Sequence, residues 1–316
     1  MPLKERQLIE RIRRIAGGVG AVSGVGIGDD CAVWRLPAGH ETLITTDFSL
    51  EGVHFRREWH PPDSVGHRCL ARGLSDIAAM GGIPRAAFLS LALPLELPQS
   101  WVDRFMSGLL KLAAKHSVAL AGGDTAQSPD GILADIVVLG SAPRGEAILR
   151  SGAKPGDRIY VTGSLGAAVA DLKQLQTGKK LQPRSHAKHF YPAPRVAVGQ
   201  FLREKKLASA MIDISDGLST DLSHICEESG TGAVIHADAL PVAAELGADG
   251  FQCALHGGDE YELLFTARGE RRIPKQIAGV AVTQIGEMVR GRSTKLVSKN
   301  GKSETLKPGG WEHFRG

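Results

Sequence analysis

Seven aspartates stand in short motifs punctuated by Gly, Ser and Thr. They are Asp29 and Asp30 in GIGDD, Asp47 in TTDF, Asp76 in LSDIAAMGG, Asp124 in AGGDT, and Asp213 and Asp216 in IDISDG. A further acidic patch, Asp259 and Glu260, lies in GGDEYELLF. The chain as a whole is basic, at a formal +4. Acids that keep choosing the ends of apolar runs beside glycine are therefore not a general acidic bias. Carboxylates gathered in one place repel and call for divalent cations. Hard, oxygen-ligating Mg²⁺ is the usual one where a phosphate supplies the remaining ligands. The pattern points to a multi-metal phosphate site.

Each motif has a plainer alternative. Asp47 and Asp124 read as strand ends, where loop chemistry is staged, and Thr45 and Thr46 add hydroxyl oxygens for a hard cation. Taken singly, any of these aspartates could be an N-cap or a turn former. In GIGDD adjacent side chains diverge, so Asp30 is the candidate ligand and Asp29 a turn residue. In IDISDG, a helix starting at Gly217 would be capped by Ser215 or Asp216 and would turn its N-terminus toward a phosphate or hydrated metal. The upstream GGVGAVSGVGIG lacks the GxxxxGK[ST] pattern, so it reads as a lid or a linker rather than a phosphate loop. His54, in LEGVHF, is a candidate ligand contact or a structural histidine. Arg150 could pair with a nucleotide phosphate or simply face solvent. Trp311, in GGWEHF, could be a stacking platform or an anchor for the tail. His186, Lys188 and His189 read as solvated loop residues. No nucleophile elbow stands out. The residues suit phosphoryl transfer by positioning and charge neutralisation.

The elements that must position these groups alternate between strand and helix. Strands are expected at CAVWRL, at ETLITTDF ending on Asp47, at AAFLSLALP, at SVALAGGD ending on Asp124, and at ILADIVVLGSA. Residues 63–81 carry helical spacing at Val65, Cys69, Leu70, Leu74 and Ile77, with Asp76 near the helix end. SWVDRFMSGLLKLAAKH is a helix capped by Ser100. After a Pro- and Gly-rich stretch near 143–156 the alternation resumes: RIYVTG, AAVADLKQLQ, RVAVGQFLRE, ASAMIDIS ending on Asp213, GLSTDLSHICEES, AVIHADALP, YELLFTA, AVTQIGEMV and TKLVSKN. Residues 176–194 read as an exposed connection. The expectation is an α/β or α+β fold in two domains, 1–145 and 146–316.

Composition agrees with a soluble globular chain. Its 316 residues are long for one core, 42% are hydrophobic, and 39 are glycine. Lys and Arg form no long run, so no nucleic-acid surface is expected. Cys31, Cys69, Cys226 and Cys253 form no CxxC pair, which favours reduced thiols and a cytoplasmic setting. The opening KERQLIERIRRI is charged with helical period, unlike a signal peptide, and no apolar run reaches the length of a membrane span.

GIGDDCAV, TTD with LEGVHF, LSDIAAMGGIPRAAFLSLALP, GGDT, ILRSGAKPGDRIYVTGSLG, MIDISDGLSTDLSHI and GGDEYELLFT, in that order, resemble the thiamine-monophosphate kinase family. The resemblance runs from about residue 25 to the C-terminus. It implies the two-domain fold of the aminoimidazole ribonucleotide synthetase-like superfamily: an N-terminal ATP- and Mg²⁺-binding sheet that dimerises and a C-terminal α/β domain completing the site. It implies direct transfer of the ATP γ-phosphoryl group to thiamine monophosphate with several Mg²⁺ ions and no phosphoenzyme. Carried over by motif, the metal ligands are Asp30, Thr45, Thr46, Asp47, Asp76, Asp124, Asp213 and Asp216, with Asp47, Asp124 and Asp216 at the catalytic centre. ATP contacts are Gly123, Asp124, Arg150 and Ser215. Substrate contacts are His54, Asp259 or Glu260, and Trp311. Three departures stand out: Gly73 where asparagine is frequent, Phe48-Ser49 after Asp47, and the order Asp259 then Glu260. The alternatives are another ATP-using enzyme of the superfamily, or a nucleotide-binding homologue without turnover. A selenophosphate synthetase would want a cysteine in the glycine-rich loop, and a hydrogenase maturation factor a C-terminal cysteine tail.

Overall fold

The structure, a computed structural model, describes residues 1–17, 25–28, 30–244, 246–247 and 249–314. Asp29 and the expected lid or linker at 18–24 lie outside the described residues. The chain packs as two units: Met1–Ile77 with Gly82–Gly145, and Ala78–Gly81 with Glu146–Gly316.

The first unit runs α1 (Glu5–Ala16), β1 (His40–Leu50), α2 (Pro62–Ala79), β2 (Ile83–Pro94), α3 (Gln99–Lys115), β3 (Ala119–Ser128) and β4 (Leu133–Pro143). Its sheet has the order β1-β4-β2-β3, antiparallel except for the parallel β2–β3 pair. CAVWRL is not a strand. Val33 makes one isolated antiparallel bridge with Val25, and Pro37 breaks the run before β1 begins. β1 does not end at Asp47, because β4 is equally long and pairs with it from His40↔Pro143 to Leu50↔Leu133. β3 likewise continues past Asp124, since β2 offers partners as far as Pro94↔Ser128. Ser100 is not the cap of α3. Pro98 holds that position, without a side-chain hydrogen bond. The apolar stripes of α2 and α3 are buried with Leu89, Leu91, Ile136 and Val138. The alternate positions Phe88, Ser90, Asp135 and Val137 are only half-buried. Within this chain the central strands are thus fully covered on one face and half-covered on the other.

The second unit runs β5 (Arg158–Thr162), α4 (Ala167–Gln176), α5 (Ala187–Phe190), α6 (Val196–Glu204), β6 (Ala210–Asp213), α7 (Leu218–Ser229), β7 (Gly232–His236), a 3₁₀ turn (Ala237–Ala239), α8 (Gly250–His256), β8 (Leu263–Ala267), β9 (Gln276–Ile277), β10 (Val280–Val289), β11 (Thr294–Val297) and β12 (Ser303–Thr305). The sheet order is β12-β11-β7-β10-β5-β8-β6, with β9 paired to β10. Leu218, Leu222 and Ile225 of α7 join Ile212, Ile235 and Leu264 of the sheet in one buried cluster. The 176–194 stretch is not simply an exposed connection. It contains α5, His189 is buried with its Nδ1 3.0 Å from the Ala168 carbonyl, and His186 Nδ1 lies 2.7 Å from Asp171 Oδ1. No described helix is long and apolar enough to cross a membrane.

Candidate active site

In the first unit the two-residue strand period sorts the TTDF residues onto different faces. Leu43, Thr45, Asp47 and Ser49 are buried or half-buried, whereas Ile44, Thr46 and Phe48 are exposed. Thr45 and Asp47 therefore share the face covered by α2, and Thr46 does not. On α2, the missing side chain at position 73 lets the helix backbone approach the sheet. A Cβ there would stand 2.5 Å from Val138 Cγ2 and 3.5 Å from Thr45 Cγ2. One turn later on the same helix, Asp76 Oδ2 accepts a hydrogen bond from Thr45 Oγ1. On the opposite face Thr46 Oγ1 donates to Asp135 Oδ1 at 2.8 Å. Asp135 was not singled out from the sequence. Its signal is an acid inside the apolar alternation LADIVV.

Asp47 and Asp124 stand on the two edge strands. The paired row runs Asp47↔Ile136↔Leu89↔Gly123, which spans three strand spacings, roughly 14 Å. One ion cannot be held by both edges of a single sheet. Asp124 is exposed, and its Oδ1 accepts the Thr125 N–H at 2.8 Å. Asp30 is also exposed. His54 closes a turn after β1, where its Nδ1 accepts the Leu50 N–H at 3.0 Å. That bond leaves the ring proton on Nε2.

In the second unit Asp213 is buried at the end of β6, and Ser215 and Asp216 are half-buried in the loop before α7. The loop is held as a continuation of the sheet: Ile214 N donates to Glu262 O at 2.8 Å, Tyr261 N to Ile214 O at 2.9 Å, and Asp259 N to Ser215 O at 2.7 Å. Neither Ser215 nor Asp216 caps α7, whose N-cap is Gly217. Asp221, inside the helix, does that work instead. Its Oδ2 accepts the N–H groups of Asp216 at 3.2 Å and Gly217 at 3.0 Å. Burial first, then the charges of Asp213 and Asp216, push the Asp221 carboxyl up to about 8. The sequence did carry a signal for it: Asp221 falls on the buried stripe of Leu218, Leu222 and Ile225. Asp216, Asp221 and His224 each bring a possible ligand atom within 4.8 Å of the others.

The acids of GGDEYEL take three separate paths. Asp259 is half-buried, and its Oδ1 accepts the Tyr261 hydroxyl at 2.6 Å. Both residues hold left-handed backbone, at φ 60° and 52°, a conformation uncommon for residues with side chains. Glu260 is buried at the start of α4, where Oε1 accepts the N–H groups of Gly166 at 2.8 Å and Ala168 at 3.2 Å. Burial pushes its carboxyl up to about 7, against the opposing pull of Lys188 and those two N–H groups. Glu262 is fully buried in a two-pronged pair with Arg195, at 2.7 and 2.5 Å, and takes the Thr162 hydroxyl at 2.6 Å. Lys188 reaches to 3.5 Å from the same carboxylate and donates to Ser164, so it is not a solvated loop residue.

Trp311 is 55% exposed, while its N–H donates to the Asp216 carbonyl at 2.9 Å. Ring exposure and backbone anchoring thus coexist. Arg150 stands apart from Ser215. It is exposed, and its carbonyl accepts Ser229 Oγ at the far end of α7, a helix roughly 18 Å long.

The residues fit divalent cations. The charges of Asp213 and Asp216 add to the cost of ionising buried Asp221, and a divalent cation would relieve it. Thr45, Asp47 and Asp76 offer hard oxygen donors from one face.

Residues 28–142 match the AIR synthase related protein N-terminal domain, and residues 154–299 match the C-terminal domain. The chain is 38% identical over 303 residues to the thiamine-monophosphate kinase of Salmonella typhimurium, covering 92% of this chain and 91% of that one. The crystal structure of thiamine-monophosphate kinase from Stenotrophomonas maltophilia superposes with a TM-score of 0.83 at 35% identity, over 96% of this chain and 99% of that one. A solved complex of AaThiL with AMPPCP and TMP superposes with a TM-score of 0.79 at 32% identity, over 99% of both chains. The chain belongs to the thiamine-monophosphate kinase family of enzymes, among the AIR synthase related proteins.

Proposed function

We propose that the protein transfers the γ-phosphoryl group of ATP to thiamine monophosphate, giving thiamine diphosphate and ADP. The observation that carries this reading is the bond from the Trp311 N–H to the Asp216 carbonyl. It sets an exposed aromatic face beside a cluster of metal-type carboxylates. A thiazolium with a phosphate tail needs an aromatic or acidic partner at one end and cations at the other. The relatives named above, and the AaThiL complex holding an ATP analogue with TMP, support the same substrates.

In the proposed reaction an oxygen of the acceptor phosphate forms a bond to the γ-phosphorus. The bond from that phosphorus to the β–γ bridging oxygen breaks, and ADP leaves. Thr45, Asp47 and Asp76 hold Mg²⁺ in the first unit, and Asp213 and Asp216 do so in the second. Bound Mg²⁺ supplies charge neutralisation on the phosphate oxygens. Asp221 orients the Asp216 loop through its two N–H contacts. Asp124, with Gly123 beside it, serves the nucleotide phosphates from the other sheet edge, with Asp30, Thr46, Ser215 and Arg150 as further ligands or nucleotide contacts. Asp259 meets the substrate rather than Glu260, because Glu260 is committed to the start of α4. His54 presents its Nε2–H as a donor to the same molecule.

The active form is a homodimer built on the N-terminal sheet. Ile44 and Phe48 are 68% and 55% exposed on β1, and the adjoining sheet face is only half-covered. The free thiols Cys31, Cys69, Cys226 and Cys253 suit the cytoplasm.

A coupled assay of ADP release at millimolar Mg²⁺ tests the reading. Release should depend on thiamine monophosphate. ADP formation that is unchanged when thiamine monophosphate is omitted, or absent with it, overturns the assignment.

A further inference from the structure

Three successive amides of the C-terminal tail are bound by one short stretch before and within α7. Gly309 N donates to Ser219 Oγ at 3.2 Å, Gly310 N to Thr220 Oγ1 at 3.1 Å, and Trp311 N to the Asp216 carbonyl at 2.9 Å. Ser219 is buried and lies 2.8 Å from His256 Nδ1. Ser219 Oγ thus accepts from Gly309 and shares a second hydrogen bond with that ring nitrogen, in the direction set by the imidazole tautomer. His256 ends α8 and leads through Gly257-Gly258 into Asp259. The fit leaves no room for side chains in the tail. A Cβ at Gly310 would collide with the Asp216 carbonyl oxygen and lie 2.7 Å from Thr220 Oγ1. A Cβ at Gly309 would lie 2.6 Å from His256 Nδ1.

We infer that Ser219 and Thr220 are positioning residues, which clasp the Gly309–Trp311 backbone to the Asp216 loop and set where the Trp311 ring stands. This rests on the reading that Trp311 meets the acceptor and Asp216 the metal. The two hydroxyls touch neither reacting group. They act by fixing the distance between the aromatic face and the carboxylate end, and through His256 they tie the Asp259 loop to the same point. An exposed tail without such a clasp would sample many positions of the ring, and each productive encounter would then carry the entropy of ordering it.

The test uses the full chain and the variants Ser219→Ala/Thr220→Val, Thr220→Val, Thr220→Ser and Gly310→Ala. Amide hydrogen exchange is followed in the C-terminal peptide, and KM is measured separately for thiamine monophosphate and ATP. The double variant should exchange at least about tenfold faster in that peptide, the order expected when two hydrogen bonds are removed. Its KM for thiamine monophosphate should rise about tenfold, with the KM for ATP within about twofold. Gly310→Ala should act the same way while keeping both hydroxyls, and Thr220→Ser should behave as the wild type. Unchanged exchange in the double variant overturns the clasp. So does faster exchange with no change in the KM for thiamine monophosphate, or a Thr220→Ser variant as impaired as Thr220→Val. If the wild type does not use thiamine monophosphate at all, the functional reading fails by itself, and the exchange measurement still decides whether the hydroxyls hold the tail.

Discussion

Replacing Gly73 with alanine adds one methyl group at a close contact between α2 and its sheet. The new Cβ would sit 2.5 Å from Val138 Cγ2 and 3.2 Å from Val138 Cβ, so something must retreat by roughly 1 Å to restore ordinary contact. Val138 is poorly placed to move. It sits on β4, paired to Thr45 on one side and Ala87 on the other, and a valine has few χ1 alternatives. The helix must lift instead. Alanine gains about 1 kcal/mol of helix propensity over glycine, and overpacking costs about 1–3 kcal/mol. A net loss of about 1 kcal/mol is expected in urea denaturation. Lifting α2 also pulls Asp76 from Thr45, so turnover should fall more than stability does, by at least about tenfold. Val138→Ala alone should cost about 2 kcal/mol as a cavity. Combined with Gly73→Ala it should cost less than the sum, because the added methyl occupies the vacated space. If Gly73→Ala proves stabilising by the full propensity gain, or if the two changes are simply additive, the argument that Gly73 sets the height of α2 is wrong.

Asp47→Asn should abolish phosphoryl transfer while leaving the thermal midpoint within a few degrees. Near-normal turnover at millimolar Mg²⁺ would contradict metal binding on the α2 face. Glu260 is raised from 4.5 to about 7 mainly by burial. Its contribution to stability is therefore fully present below pH 4.5 and lost as pH rises through 7, by roughly 3 kcal/mol. Glu260→Gln, which keeps an acceptor for Gly166 and Ala168, should remove that slope from stability measured between pH 4.5 and 8. An unchanged slope would mean that the carboxylate is better solvated than its burial implies. Charge placed on the exposed β1 face, as Ile44→Asp with Phe48→Asp, should convert the proposed dimer to monomers in sedimentation at micromolar concentration. A wild-type mass of one chain would refute the dimer.

Much of this protein is determined by its sequence alone. The apolar stripe of α2 and the order of most elements follow from hydrophobic period, because burial of a stripe depends only on local geometry. The motif string from GIGDD to GGDEYELLF is enough to place the chain in its family. Other features depend on which segments become neighbours. The length of β1 beyond Asp47 was decided by the length of β4, and that of β3 by β2. The same pairing put Asp47 and Asp124 on opposite edges, although both motifs look alike in sequence. Strand period separates Thr45 from Thr46, but only the position of α2 shows which of them meets Asp76. The sequence marks Asp221 by its place on an apolar stripe and Glu260 by its motif, but not the state of either carboxyl. Their raised carboxyls arise from burial and, for Asp221, also from Asp213 and Asp216, which the fold brings together. The tail shows the division most plainly: GGW can be read as small residues before an aromatic, but only the approach of α7, with Ser219, Thr220 and the Asp216 carbonyl, explains why side chains are excluded there.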